Sequence, residues 1–87
     1  MKLIRLSKHA LVYTDKRGFT LAEVEDAIRT SPWMPAELGR LHCRKNFPYG
    51  KEWSGKAYKT KQVRPIFVED AGEIVVITVY TYYFDQP

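Results

Sequence analysis

The first part of the chain contains a short apolar segment and then residues at helical spacing. The segment Leu3–Leu6 predicts a short strand. Ser7 is a typical helix N-cap, because its hydroxyl can accept a hydrogen bond from a free backbone N–H of the first turn. Gly18 is typical of the position just past a helix end, since glycine adopts positive φ without steric cost. We therefore expect a first helix from about Lys8 to Arg17.

A second helix has the clearest local signal in the chain. Thr20 and Glu23 have the spacing of a capping box, in which each side chain bonds the backbone N–H of the other residue. Ser31-Pro32 ends the helix, because proline disfavours helical geometry at the residue before it. Four apolar residues between these signals lie on one face: Leu21, Val24, Ala27 and Ile28.

The rest of the chain has the alternation that is typical of strands. A first strand is predicted over Leu38–Phe47, with Arg40, His42 and Arg44 on one face. A loop is expected from Phe47 to about Lys56, because it contains Pro48 and Gly50. A second strand is predicted over Ala57–Glu69, and its internal proline, Pro65, favours an edge position or a bulge.

A turn at Asp70–Gly72 precedes the longest apolar run, Glu73–Phe84, which is typical of a central strand. The predicted fold class is α+β within one domain, residues 1–87. Its expected order is a short N-terminal strand, two helices and a three-stranded antiparallel meander, with the helices in one layer on the sheet.

Composition excludes several classes of protein. The chain has 87 residues and one cysteine, Cys43, so no internal disulfide can form. The residues after Met1 lack the apolar stretch of a signal peptide. No segment approaches the roughly 20 apolar residues of a membrane span. These features lead us to expect a cytoplasmic protein that does not bind a membrane.

Charge is concentrated in one stretch, residues 37–64. The stretch contains eight basic and two acidic residues, a net charge of +6, whereas the rest of the chain carries a net charge of −2. Such a block favours RNA, DNA or an acidic protein as partner. Charge alone leaves open a second interpretation, in which the block is a solvated face that keeps the protein in solution.

Aromatic residues are interleaved with these cations, as in proteins that stack unpaired bases. A ribonuclease that uses no metal needs a base, a cation for the phosphorane and an acid. The catalytic candidates are His9 or His42 for proton transfer, Arg44, Lys61 and Arg64 for the phosphate, and Tyr80 or Tyr82 as acid or stacking platform. The candidate nucleic-acid contacts are Arg40, Lys45, Lys51, Trp53, Lys56, Tyr58 and Lys59.

We predict neither a metal nor a cofactor. His42 and Cys43 are neighbours on a predicted strand, so their side chains point to opposite faces and do not converge on an ion. Cys43 falls on the apolar side of that strand, where a thiol is typically a small hydrophobic group rather than a nucleophile. The glycines near Lys51 lack the spacing of a phosphate-binding loop.

Two segments near the N-terminus, Ser7-Lys8-His9-Ala10 and Arg17-Gly18-Phe19-Thr20, and the final strand Glu73–Tyr80 resemble a family of small bacterial and phage proteins. That family is catalogued as a domain of unknown function and is similar to the RelE/ParE-like toxin superfamily. The resemblance implies two helices on an antiparallel sheet, and an mRNA-cleaving toxin, or a relative that lost this role, neutralised by an acidic antitoxin. The chain differs from the family at Tyr13, where the family often has arginine.

RelE-like toxins place basic residues and a late tyrosine on the sheet. The residues of this chain that match them, in residue type only, are Arg44, Lys61, Arg64, Tyr80 and Tyr82.

Two hypotheses about the function follow from the sequence. The first is a toxin-like, RNA-binding domain with metal-independent ribonuclease activity. The alternative is a non-enzymatic interaction domain that docks an acidic protein or accepts a strand at a sheet edge. Whether the protein is an enzyme stays open at this point.

Overall fold

The computed structural model describes residues 2–85. These residues form one mixed six-stranded sheet with three short helices. A 3₁₀ turn over Glu37–Gly39 interrupts the path between two of the strands. In chain order the elements are β1 Leu3–Leu6, α1 Lys8–Val12, α2 Thr14–Arg17, α3 Leu21–Thr30, β2 Met34–Pro35, β3 Leu41–His42, β4 Lys45–Trp53, β5 Lys56–Glu69 and β6 Glu73–Phe84.

The predicted three-stranded antiparallel meander is wrong. The strand order is β1-β6-β5-β3-β2, and β4 lies beside β3 along the same edge of β5. The N-terminal strand joins this sheet parallel to β6, with Leu3 opposite Glu73. The protein is still broadly α+β, but the sheet dominates it. Short strands such as β2 lack enough residues to show alternation in the sequence.

The predicted first helix is divided in two at Tyr13. The backbone there has φ −94° and ψ 2°, so α1 ends and α2 begins at this residue. Ser7 caps α1 as predicted, and its Oγ accepts a hydrogen bond from Ala10 N at 3.1 Å. Gly18 closes α2 with a φ of 72°, which confirms its predicted role as a helix stop.

The predicted second helix is confirmed as α3. Glu23 N donates to Thr20 Oγ1 at 3.2 Å, and Thr20 N donates to Glu23 Oε1 at 2.9 Å, so both halves of the capping box form. The helix stops before Ser31, whose backbone is extended. Its buried face packs on β5 through Val24, Ala27 and Ile28.

The predicted strand Leu38–Phe47 and the loop after it are both wrong. Leu38 has a φ of 60° within the 3₁₀ turn, which separates β2 from β3. The chain then continues as β4 from Lys45 to Trp53, where a loop was expected. Pro48 fits there because β4 lies at the edge of the sheet, and the register shifts between Pro48 and Lys51. The real turn is Ser54–Gly55, where both residues have positive φ.

Strands β5 and β6 confirm the strands predicted over Ala57–Glu69 and Glu73–Phe84, but the sheet position expected for Pro65 needs a correction. β6 lies between β1 and β5, as expected for a central strand. β5 has neighbours on both sides, so of the two alternatives for Pro65 the edge position is wrong and the nearby bulge is confirmed. A register shift follows directly after Ile66 and leaves Ile77 of β6 without a partner across the strands. Ser7 Oγ donates to Ile77 O at 2.8 Å, so this bulge anchors the start of α1.

The helices pack on one face of the sheet, which we call the inner face. The core there includes Val63 and Phe67 of β5 and Val76 and Val79 of β6, all completely buried. Alternate residues of the same strands point to the opposite, outer face. None of the helices in residues 2–85 has the length and apolar character needed to cross a membrane.

Candidate nucleic-acid interface

A groove of about 650 Å³ lies on the outer face where β3, β5 and β6 meet the segment that joins β2 to β3. We call it the outer groove. It brings together five of the predicted site residues, namely Arg40, His42, Arg64, Tyr80 and Tyr82. Glu37 and Leu38 form the rim on the side of the 3₁₀ turn.

Strand register explains why these side chains meet. Arg64 of β5 is directly opposite Tyr80 of β6, and Gln62 is opposite Tyr82. On the other side of β5, His42 of β3 is opposite Ile66, two residues along from Arg64. Directly opposed residues point to the same face of a sheet, so all of them face outward.

His42 is held in one protonation state by its surroundings. Arg64 Nε donates a hydrogen bond to His42 Nδ1 at 3.2 Å. Burial lowers the pKa of His42 below its ordinary value of 6.5, and the charges of Arg64 and Arg44 lower it further. The ring is therefore neutral at pH 7, and because Nδ1 accepts from Arg64, the ring proton is on Nε2.

Two tyrosine rings give the groove an accessible aromatic surface. Tyr80 is 38% exposed and Tyr82 is 43% exposed. The guanidinium carbon of Arg64 lies 5.9 Å from the centre of the Tyr80 ring. Exposed rings beside guanidinium groups can stack unpaired bases while the cations contact phosphate.

Arg17, at the end of α2, also reaches this surface, although it was not among the predicted site residues. Its Nη1 donates to Thr78 Oγ1 at 3.1 Å and to Val79 O at 2.9 Å. Its guanidinium carbon lies 5.0 Å from the centre of the Tyr80 ring. The sequence placed Arg17 in the last turn of a helix and in the segment Arg17-Gly18-Phe19-Thr20, and neither feature predicted that it contacts β6.

The rim residues Glu37 and Leu38 were also missed. Glu37 is the acidic residue in the lining of the outer groove, and Leu38 beside it is 84% exposed. Leu38 has the left-handed backbone conformation that leucine rarely adopts. The only available signal was Gly39, which could have indicated a turn where the sequence suggested a strand.

Lys61 and Lys45 lie on the inner face, away from the groove. Lys61 is 6% exposed, and its Nζ lies 2.7 Å from Glu23 Oε2 and donates to Gly18 O at 2.8 Å. Lys45 Nζ forms an ion pair with Asp26 at 2.8 Å. Both lysines connect the sheet to α3 through ion pairs, so their charges stabilise the fold.

Four other candidates lie toward the β4–β5 turn, where an aromatic cluster forms. Trp53 stacks on Tyr83 with ring centres 4.8 Å apart, and Tyr58 lies 5.8 Å from the same ring. Burial raises the pKa of Tyr83 to about 12, so its hydroxyl stays protonated and donates to Arg17 O at 3.0 Å. Lys51 and Lys56 are exposed beside tyrosine rings of this region.

Three remaining candidates are exposed but do not line the outer groove. Arg44 follows β3 and acts on His42 through its charge. Lys59 borders a small apolar hollow beside Phe47 and Pro48. His9 is on α1, where its ring centre lies 4.8 Å from that of Tyr13. The two histidines therefore belong to different surfaces.

No three metal-ligating side chains gather within residues 2–85. Cys43 is buried, and this burial raises the pKa of its thiol to about 11, so it is not a thiolate at pH 7. The chain matches no family model, no curated protein and no solved structure. The resemblance to RelE/ParE-like toxins therefore stays a prediction.

Proposed function

We propose that the outer groove binds single-stranded RNA. The observation that carries this proposal is the convergence of Arg40, Arg64 and neutral His42 with the exposed rings of Tyr80 and Tyr82. Guanidinium groups bind phosphate oxygens, and aromatic rings stack on bases without regard to sequence. Bases in a duplex are already stacked on each other, so the surface fits an unpaired strand better.

The same groove has the groups that RNA cleavage without a metal requires, and we extend the proposal to this activity. The Glu37 carboxylate accepts the proton of a ribose 2′-hydroxyl, whose oxygen attacks the adjacent phosphorus. The bond to the 5′-oxygen breaks, and a tyrosine hydroxyl of the groove protonates this leaving oxygen. The products are a 2′,3′-cyclic phosphate and a free 5′-hydroxyl.

His42 and the arginines stabilise charge in this scheme. With Nδ1 occupied by Arg64, neutral His42 offers the Nε2 proton as a hydrogen-bond donor and does not act as the base. The guanidinium of Arg64 lies beside it and stabilises the charge that develops on the phosphorane oxygens. The proton-transfer role assigned to His42 from the sequence thus passes to Glu37.

Binding is tested by fluorescence anisotropy with a labelled single-stranded RNA and the DNA of the same sequence. We expect salt-dependent binding of RNA by the wild type and at least about tenfold weaker binding by Arg64→Ala combined with Tyr80→Ala. Arg29→Ala is the matched control, since Arg29 is an exposed arginine of α3 outside the groove. Absence of RNA binding by the wild type would refute the proposal.

Cleavage is tested separately by incubating the RNA with protein in the presence of EDTA and resolving the products on a gel. Wild type should produce fragments that end in cyclic phosphate, and Glu37→Gln should bind RNA but leave it intact. Binding without cleavage by the wild type would retain the interface and remove the enzymatic part of the proposal.

A second candidate function, docking of an acidic protein, is favoured by the rim. β2 is the last strand in the sheet order, and Met34 of β2 and Leu38 beside it are 54% and 84% exposed. An acidic segment that pairs with β2 would cover these apolar side chains and meet the cations of the groove. Binding of a glutamate-rich peptide that RNA does not displace would support this function over the first.

A further inference from the structure

A row of cations and aromatic rings continues from the outer groove around the edge of β6 onto the helices. It consists of Tyr80, Arg17, Tyr13 and His9, and we call it the edge ladder. The Arg17 guanidinium carbon lies 5.0 Å from the Tyr80 ring centre and 4.0 Å from that of Tyr13. The Tyr13 and His9 ring centres are 4.8 Å apart. The ladder therefore links the groove to the exposed side of α1.

The ladder exists because β1 is short. β1 pairs with β6 only as far as Val76, so β6 extends beyond its parallel partner. Arg17 occupies this open edge, and its bonds to Thr78 and Val79 O fix the guanidinium there. The charge is held in place before any ligand arrives, so binding loses little side-chain entropy at this position.

At the outer end of the ladder, Tyr13 packs partly against the core while His9 lies outside it. α1 buries Ala10, whereas His9 is exposed and Tyr13 is half-buried. Lys16 adds a second cation, with its Nζ 5.6 Å from the centre of the Tyr13 ring. Cations that alternate with accessible rings match the alternation of phosphates and bases along a single strand.

We propose that the RNA strand leaves the outer groove over the edge ladder and ends on His9. This inference rests on the proposed function and specifies its ligand: a single strand that spans both surfaces, not a dinucleotide confined to the groove. Tyr13 and His9 supply stacking, and Arg17 supplies a phosphate contact between the two surfaces. These residues set the length of RNA that is bound tightly.

The test measures the affinity of a dinucleotide, a hexanucleotide and a dodecanucleotide for the wild type and for His9→Ala combined with Tyr13→Leu. Leucine at position 13 retains apolar packing and removes the ring. The matched control is Leu11→Ala, an exposed residue of α1 that borders a different hollow beside β1. Circular dichroism melts confirm that each variant is folded.

We expect wild-type affinity to increase from the dinucleotide to the longer strands. The double variant should bind the dodecanucleotide about tenfold more weakly, with no change for the dinucleotide and no effect of Leu11→Ala. If wild type and double variant bind the dodecanucleotide equally while Arg64→Ala still weakens binding, the proposed path over the edge ladder is wrong and RNA binding by the outer groove stands. Failure of the wild type to bind any of the RNAs would overturn the proposed function itself.

Discussion

Arg64 donates a hydrogen bond through Nε to Nδ1 of His42 at 3.2 Å. This contact joins β5 to β3 across the floor of the outer groove, and it makes the protonation of one residue depend on the charge of the other. Substitution of either residue should therefore change a measurable property of its partner.

The first prediction concerns the pKa of His42. Burial, then the charges of Arg64 and Arg44, lower this pKa, so NMR should detect a His42 titration midpoint below 6.5. Arg64→Gln removes one charge and should move the midpoint upward, though not fully to 6.5, because burial remains the larger cause. A wild-type midpoint at or above 6.5 would contradict the prediction.

The same shift makes the free energy of unfolding depend on pH. The folded state has the lower pKa, so the unfolded chain binds the proton more readily as the pH falls below about 6.5. The contribution of neutral His42 is complete above that pH and is lost progressively below it. Urea unfolding from about pH 8 to about pH 5 should show a steeper loss of stability for wild type than for His42→Gln.

The salt dependence of RNA binding should identify the cations that contact phosphate. Removal of one phosphate-contacting charge by Arg64→Ala should reduce the slope of log affinity against log salt by about one unit. Lys56→Ala removes a charge that lies away from the groove, beside Asp85 near the β4–β5 turn, and serves as the control. An equal reduction for both variants would indicate diffuse charge attraction and no defined groove.

Gly18 should tolerate no larger residue. A Cβ there would contact Tyr83 Oη and the Trp53 ring, and the φ of 72° is unfavourable for any other residue. We expect Gly18→Ala to lower the free energy of unfolding by about 3 kcal/mol, from strain and overpacking together. Gly55→Ala is the control, since φ is also positive but the space around it is open, so about 1 kcal/mol is expected. Urea unfolding measures both, and equal losses would contradict the packing argument.

Lys61 should matter for stability and not for RNA binding. Its substitution by methionine leaves Glu23 without the partner at 2.7 Å, and loss of one member of such a buried pair costs about 3 kcal/mol. Exposed Lys59→Met should cost less than about 0.5 kcal/mol. Thermal unfolding and RNA anisotropy on the same samples separate the two roles. If folded Lys61→Met keeps its stability but loses RNA affinity, the result would indicate that Lys61 contacts RNA and would contradict the prediction.

The sequence predicted best where short-range contacts decide the structure. The capping box of Thr20 and Glu23 and the stop at Gly18 each depend on a few consecutive residues, and both are confirmed. The long strand β6 was also predicted, because its apolar run leaves few alternatives. The division of the first helix at Tyr13 had no such signal, since tyrosine is tolerated in a helix interior.

The site was predicted only in part, because it depends on register and long-range contacts. Lys61 and Arg64 were both assigned to the phosphate, but they lie on opposite faces of β5, and no sequence pattern showed that His42 would lie across from Ile66. Arg17 reaches β6 over more than sixty residues of chain. Glu37 and Leu38 enter the rim because a left-handed residue turns the chain, and leucine seldom marks such a turn.

The parallel pairing of β1 with β6 has a consequence for biosynthesis. Leu3 pairs with Glu73, so β1 must wait for β6, which is made much later in the chain. At about 5–20 residues per second, a ribosome needs several seconds to make the chain between them. During this interval the backbone of β1 lacks the strand with which it pairs in the folded protein. Completion of the sheet, and of the open β6 edge where Arg17 lies, can therefore occur only after β6 has been made.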